Sequence, residues 1–437
     1  MQSQFRHIIR QKISDSLVQA VPVLTRRDVW IPAVPGKAVA VIGMRRAGKT
    51  CMLWQVLADR LAARAQRSSL LYFSFEDERL AGMQASDLDL IVEEYFLRHP
   101  EHRGTAKTVF FLDEIQLVPG WETFVRRILD TENIDVFLSG SSARMLSREI
   151  ASSMRGRAME AVVRPFSFTE SLRHAGQEPV KAMSPDKQLR STLNKALLAF
   201  LETGGFPEAQ GLDQRSRMEL LRTYVDVVLL RDIIERHDIS HPQCLRWMVR
   251  QLLGNPAGGF SVNKFHNDLK SQGMAIGKDK LHAYLEHLED SFLLRSLSLA
   301  TDSIRRRQVN PRKVYPVDTG LIALFNRSGK AQTGHALETA VLHELERHGA
   351  EVAYVKTESG YEVDFHARLA DGTERLVQVS ADIDAPPTLE REVRALTEAA
   401  QSFPHASLHL VTLARPAGRI HMPDSIEIAE ASDWLLQ

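Results

Sequence analysis

Short continuous apolar runs alternate with amphipathic stretches through the N-terminal third of the chain. The run AVAVI at 38–42 precedes a glycine-containing loop and then MLWQVLADRLAARA, whose apolar positions recur at helical spacing. Further runs stand at 70–75 (LLYFSF), 109–112 (VFFL) and 136–138 (VFL), with a helix predicted over 121–129. Strands that are apolar without alternation are covered on both faces, as in a parallel sheet. The pattern then changes. Residues 171–245 read as helical, and KQLRSTLNKALLAFLET runs into Gly204 and Gly205, a helix stop. Residues 246–300 read as three short helices and a hairpin. Beyond 313, the helix GHALETAVLHELERHG precedes three strands joined by turns. The expected domains are 1–170, 171–245, 246–312 and 313–437.

Composition narrows the class. At 437 residues the chain exceeds one ordinary core. Its 44% apolar and 25% charged content is that of a soluble globular protein. Formal net charge is zero, so any nucleic-acid surface is a local patch. The cysteines, Cys51 and Cys244, show no metal spacing, and a reducing, cytoplasmic compartment is expected. Cys51 is expected to be a packed helix residue, with a reactive thiol as the other reading. No apolar run suits a membrane span, and the first residues lack the apolar core of a secretory signal.

The chemistry concentrates after AVAVI. Gly43, Met44, Arg45, Arg46, Ala47, Gly48, Lys49 and Thr50 spell Gly-x-x-x-x-Gly-Lys-Thr, with Cys51 next. A strand, this loop and a helix form a phosphate cradle. The glycines let backbone N–H groups close on phosphate, Lys49 reaches the β- and γ-phosphates, and the Thr50 hydroxyl sits on Mg2+. ATP and Mg2+ are the expected ligands. The run at 109–112 is tipped by Asp113 and Glu114. Asp113 is expected in the metal shell and Glu114 as the base that activates water. At the next strand tip a hydroxyl would sense the γ-phosphate, Ser141 first and Ser139 next. Arg155 and Arg157, with Arg144 in reserve, are candidates for an arginine delivered to a neighbouring subunit. Arg26 and Arg27 are expected to be solvated, and Arg231 to form an intrahelical ion pair.

GMRRAGKT, FLDEIQLVPGWE, LSGSSARMLSREI, GRAME, PFSFTE, ETGGFPEA, YVDVVLLRDIIERHDI and KVYPVDTGL occur in this order. Together they resemble the archaeal-type group of bacterial and archaeal AAA+ ATPases, whose C-terminal region was long labelled a domain of unknown function. The resemblance covers nearly the whole chain. It implies an α/β architecture: an AAA+ P-loop core with a helical lid, a winged helix and a C-terminal restriction-endonuclease-like domain. It also implies ATP binding and hydrolysis, and an arginine delivered by a neighbour makes a homo-oligomer, a hexamer, the expected assembly.

In the helix-turn-helix region, Lys278, Lys280 and His282 would face a major groove, with Lys264 and Lys270 on the partner helix. The basic run SIRRRQVNPRK, with Arg305, Arg306 and Arg307, would form or flank the wing and neutralise phosphates up to Lys313. In the last region Glu338, Asp364 and Gln378 fall where restriction-endonuclease-like folds place their acids. Gln378 and Ser380 share a strand face but are uncharged, with Lys356 as a substitute cation. A catalytically degenerate site is expected, and the histidines His335, His343 and His348 form no metal set. Three functions compete: a motor that remodels branched or forked DNA, a nucleotide switch acting through protein partners, and an ATP-regulated nuclease.

Overall fold

The computed structural model describes residues 2–104, 107–140, 154–180, 186–326, 332–383, 385–414 and 423–437. They divide into two compact units, Met1–Arg164 with Asp290–Phe292, and Pro165–Glu289 with Leu293–Gln437.

The first unit is built on β1 (Ala38–Ile42), β2 (Leu70–Ser74), β3 (Thr108–Asp113), β4 (Ile134–Ser139) and β5 (Ala158–Val162). They form one sheet in the order β2-β3-β4-β1-β5, with every pair parallel. β1 and β3 are buried along their whole length, which explains their unbroken apolar sequence. One apolar layer packs Ile42, Phe73, Leu112 and Leu138 with the N-terminal helix Gln2–Val18 and with Trp121. The other packs Val41, Phe111 and Phe137 under the helix Lys49–Ala62. β4 is inserted between β1 and β3. That order places the C-terminal ends of three strands side by side, where a parallel sheet binds ligands.

The second unit holds helices Lys187–Thr203, Gln214–Val227 and Pro242–Gly254, with a π-helical turn at Val228–Ile234. Lys187–Thr203 ends where Gly204 adopts φ 77°, a conformation that glycine takes without strain. Helices Val262–Ser271 and Lys278–Asp290 follow. A three-stranded antiparallel sheet joins β6 (Gly259–Phe260), β7 (Leu294–Leu297) and β8 (Arg312–Pro316) in the order β6-β8-β7. Within the basic run, Ile304–Val309 forms a short helix.

The chain ends in a mixed sheet, β13-β12-β11-β10-β9. β9 (Glu351–Lys356), β10 (Glu362–Arg368) and β11 (Glu374–Ser380) pair antiparallel. β11, β12 (Ser407–Thr412) and β13 (Ile426–Glu430) pair parallel. Helices Thr333–Arg347 and Pro386–Ser402 each carry an apolar face into this unit's core. No helix among the described residues is long and apolar enough to cross a membrane.

Candidate nucleotide-binding site

The loop from Gly43 to Lys49 leaves the C-terminal end of β1. Gly43 takes φ 150°, and a Cβ there would sit 2.0 Å from the Val163 carbonyl oxygen, so no side chain fits. Gly48 adopts φ 102° as the helix begins, and its Cβ would stand 3.0 Å from the Arg27 guanidinium. The helix N-terminus behind it is a place where backbone N–H groups and the helix dipole favour an anion.

Lys49 is 6% exposed, and its ammonium donates to the Gly43 and Met44 carbonyl oxygens at 3.1 Å each. Both of these acceptors are neutral and bind an ammonium less strongly than a phosphate oxygen does. Thr50 Oγ1 donates to Asp113 Oδ2 at 3.0 Å. The hydroxyl and carboxylate thus lie together, as a hard cation with oxygen ligands requires, and the donor set fits Mg2+.

Asp113 also accepts from the Tyr72 hydroxyl at 2.6 Å and from the Ser139 hydroxyl. Ser139 Oγ in turn accepts the Glu114 backbone N–H at 3.0 Å. One residue at the tip of β4 therefore ties both acids together. Glu114 takes φ 56°, a left-handed conformation uncommon outside glycine, and such local strain gathers at functional positions. Burial pushes the Glu114 carboxyl above the usual range, with Lys49 opposing. Gln116 donates to Glu114 Oε2. An acid raised in this way is better suited to accept a proton near neutrality.

Several expectations need correction. Arg27 is not solvated: it is 4% exposed, and its guanidinium donates to the Ala47 carbonyl at 2.9 Å and to the Arg164 carbonyl at 2.5 Å. Its backbone N–H donates to Gln55 Oε1 at 2.7 Å, and Gln55 Nε2 donates back to the Arg27 carbonyl at 3.0 Å. Arg27 thus supports the phosphate loop from beneath. Arg26 does lie at the surface, paired with Asp59 at 2.7 Å. Cys51 is exposed, not packed, because it falls on the outer face of its helix, whereas Cys244 is buried. Ser141, Ser142 and Arg144 lie outside the described residues. Arg155 is exposed at φ 47°, and Arg157 pairs with Asp130. Arg45 is half-buried and Arg46 exposed, with φ 66°. Arg231 pairs with Glu235 at 3.0 Å, one helical turn away. Tyr72 went unread, since a tyrosine in a buried strand carries no motif.

In the second unit, Lys264, Lys270, Lys278, Lys280, His282, Arg305, Arg306 and Arg307 are all exposed. Lys280 donates to Ser240 Oγ at 3.0 Å, and Arg307 to the Thr301 carbonyl at 2.8 Å. Lys313 departs from this pattern. It was expected to neutralise phosphates, yet it is 5% exposed and faces acids. Its Nζ lies 3.0 Å from Asp364, 3.3 Å from Glu338 and 2.7 Å from Glu362. Lys356, the expected substitute cation, is exposed at the end of β9.

Glu338 also accepts from the Tyr315 hydroxyl at 2.6 Å. A bulge in β10 between Val363 and His366 accompanies the inward turn of Asp364, whose Oδ2 accepts the Val379 N–H at 3.0 Å. Gln378 Oε1 accepts the Asp364 N–H at 3.2 Å, and its amide donates to Glu392 at 2.7 Å. Ser380 turns instead to the Asp382 carbonyl. Glu392, on the helix Pro386–Ser402, completes the cluster and was not foreseen. Among the described residues, the histidine–carboxylate group with ligand-like spacing is His99, Glu101 and His102. Its ring nitrogens already bond to Glu101 (3.2 Å from His99) and to Ser68 (3.0 Å from His102).

Residues 35–172 match the family described as AAA domain, and residues 194–331 match a domain of unknown function. The uncharacterized protein MJ1544 of Methanocaldococcus jannaschii is 32% identical over 378 residues, spanning 85% of this chain and 81% of that one. An uncharacterized protein of Haemophilus influenzae is 29% identical over 402 residues, spanning 91% and 94%. Among solved structures, the Walker-type ATPase PABY2304 of Pyrococcus abyssi aligns with a TM-score of 0.40 at 14% identity, covering 73% of this chain and 95% of that one.

Proposed function

The chain belongs to the family of MJ1544 and carries an AAA domain, and from that premise we propose that it is an ATP-hydrolysing motor acting on DNA, with branched or forked DNA as the substrate class. The observation that carries the hydrolytic half is the contact of Thr50 with Asp113, beside Glu114, at one end of the parallel sheet. Lys49 leaves its carbonyl partners to meet the β- and γ-phosphates. Thr50 and Asp113 hold Mg2+, which when bound neutralises charge on the phosphate oxygens. Glu114, raised by burial, takes the proton of the attacking water. Ser139 keeps the two acids in register, and Tyr72 helps orient Asp113. Arg155 or Arg157 completes the site from a neighbouring subunit of a homo-oligomer, a hexamer on this reading, and adds charge at the transferring phosphoryl group.

The DNA half rests on the exposed basic side chains of helices Val262–Ser271 and Lys278–Asp290 and of the segment Ile304–Val309. On this reading these helices and the β6-β8-β7 sheet act as a winged helix, with Lys278, Lys280 and His282 on the groove-facing element. The test is the ATPase rate alone and with duplex, single-stranded and junction DNA. Turnover should rise with junction DNA, and the effect should weaken with salt as phosphate contacts are screened. DNA that neither binds at low salt nor changes turnover would refute the DNA half and leave the ATPase standing.

A further inference from the structure

The C-terminal acids lie where a metal-dependent site would be sought, but their surroundings point elsewhere. A lysine ammonium has three N–H donors and no acceptor. Around Lys313 stand three carboxyl groups, from Asp364, Glu338 and Glu362, at 3.0, 3.3 and 2.7 Å. They come from β10 and from the helix Thr333–Arg347, while Lys313 itself comes from β8. Every donor has an acceptor, so the ammonium has none left to offer a water or a phosphate oxygen. The remaining acid, Glu392, is engaged by Arg391 at 2.5 Å and by the Gln378 amide. Gln378 thus joins the Asp364 backbone to Glu392 and brings no charge.

We propose that Lys313 is the resident cation of this carboxylate cluster: its ammonium fills the position a divalent metal ion would take, closes the cluster to metal, and pins β8 to β10 and to the helix Thr333–Arg347. On this reading the second unit keeps a nuclease-like arrangement of acids while being unable to cut. The electrostatics agree. Burial alone would lower the Lys313 ammonium, but Asp364, Glu338 and Glu362 outweigh it and hold the group well above the ordinary lysine value. The lysine therefore stays charged in its buried place. A divalent ion would have to displace it, stranding a buried ammonium without its partners, which is strongly unfavourable.

Manganese binding tests this on the full-length, nucleotide-free chain, read by the loss of the free Mn2+ electron paramagnetic resonance signal. All variants carry Asp113→Asn, so that the signal reports the second unit. With Lys313 intact, no Mn2+ should be bound through Asp364, and adding Asp364→Asn should leave the titration unchanged. Lys313→Met removes the charge while keeping the aliphatic stem, and it should gain one Mn2+ per chain that Asp364→Asn then abolishes. Lys313→Arg should gain none. The proposal is overturned if the chain with Lys313 binds Mn2+ in a manner lost with Asp364→Asn, or if a folded Lys313→Met chain gains no Mn2+. Should Lys313→Met fail to fold, the comparison of Lys313 chains with and without Asp364→Asn decides alone: equal titrations uphold the proposal and a difference refutes it.

Discussion

Among the described residues, Lys49 and Lys313 are deeply buried near acids, and the groups their ammonium nitrogens touch differ in kind. Lys49 rests on the carbonyls of Gly43 and Met44, while the nearby Asp113 is occupied by the hydroxyls of Thr50, Tyr72 and Ser139. Lys313 rests on three carboxyl groups and is saturated by them. A charged ammonium on neutral acceptors keeps most of its electrostatic attraction for an anion. One on acids has already spent it. Two sites assembled from the same residue types thus differ in what they can still offer: the first keeps an ammonium on neutral carbonyls, and the second already holds a cation of its own among its acids.

Replacing the two lysines is the most direct way to break the comparison. Lys49→Ala should abolish ATP binding, measured by fluorescent-nucleotide titration, with the fold retained, because the carbonyls it leaves are neutral and Glu114, the acid it draws on, can take up a proton instead. Preserved affinity would remove Lys49 from the phosphate site. Glu114→Gln should bind ATP normally while turnover falls about 10²- to 10⁴-fold, the usual worth of a positioned base. Because burial raises Glu114, the acid limb of the wild-type rate profile should lie above the ordinary carboxylate range.

Lys313→Met should do the reverse of Lys49→Ala. ATP affinity should hold, while stability of the second unit falls by about 3–5 kcal/mol, the cost of stranding one side of a buried ion pair. Chemical denaturation with a probe in that unit reads the loss, and an unchanged midpoint would show that Lys313 is not a pin. Arg27→Ala is a subtler probe of the loop. It removes support beneath Ala47, so KM for ATP should rise about tenfold, as expected when a charged hydrogen bond of about 1.5 kcal/mol is lost, with a smaller change in kcat. Arg27→Lys should restore only part of the loss, since one ammonium cannot reach both carbonyls with a guanidinium's fork.

Much of the first site could be read from sequence because its parts are local: a glycine loop between strand and helix, and acids at a strand tip. The parts that were missed are tertiary. Tyr72 reaches Asp113 across neighbouring strands, and Arg27 enters the phosphate loop from a segment without regular structure. Lys313 was hidden in a basic run that reads as solvated. Its signal was the run that follows it: on β8, Arg312 is exposed, while Lys313 opens a stretch buried through Val314, Tyr315 and Pro316. Glu392 carried a similar signal. It shares a helix face with the buried Ala395, Leu396 and Ala399, as Glu338 does with Val341, Leu342 and Leu345. A carboxylate within an apolar stripe must find a partner there. Several helices of the second unit and the strands β9 to β11 were legible by period, whereas the helix Pro386–Ser402, β12 and β13 were not read, and which acids and cations meet was set by packing over long sequence separations.

The smallest expected effect isolates one carboxyl within the Lys313 cluster. Burial, and then Asp364, push Glu338 above the ordinary carboxylate range, against the pull of Lys313 and the Tyr315 hydroxyl. The folded chain therefore retains a proton on Glu338 that the unfolded chain releases at lower pH. Stability rises with pH only where the unfolded state binds more protons. Here the folded state binds more, so this contribution is lost as pH climbs from the unfolded value through the folded one. Asp318, buried and pushed up to about 6, acts in the same direction but is mostly ionised above that pH. Burial raises Glu114 and Glu392 in the same direction, so the share that belongs to Glu338 is the difference between the wild type and a variant that cannot ionise there. Glu338→Gln keeps an oxygen to accept from Tyr315 and cannot ionise. Its stability should fall less than the wild type's between pH 6.5 and 8, by about 1 kcal/mol, the scale of one pKa step. Urea denaturation at both pH values reads the difference. Parallel slopes would mean that Glu338 is already ionised at pH 6.5, that the Lys313 ammonium faces three full negative charges, and that the cluster is held by Coulomb attraction without a shared proton.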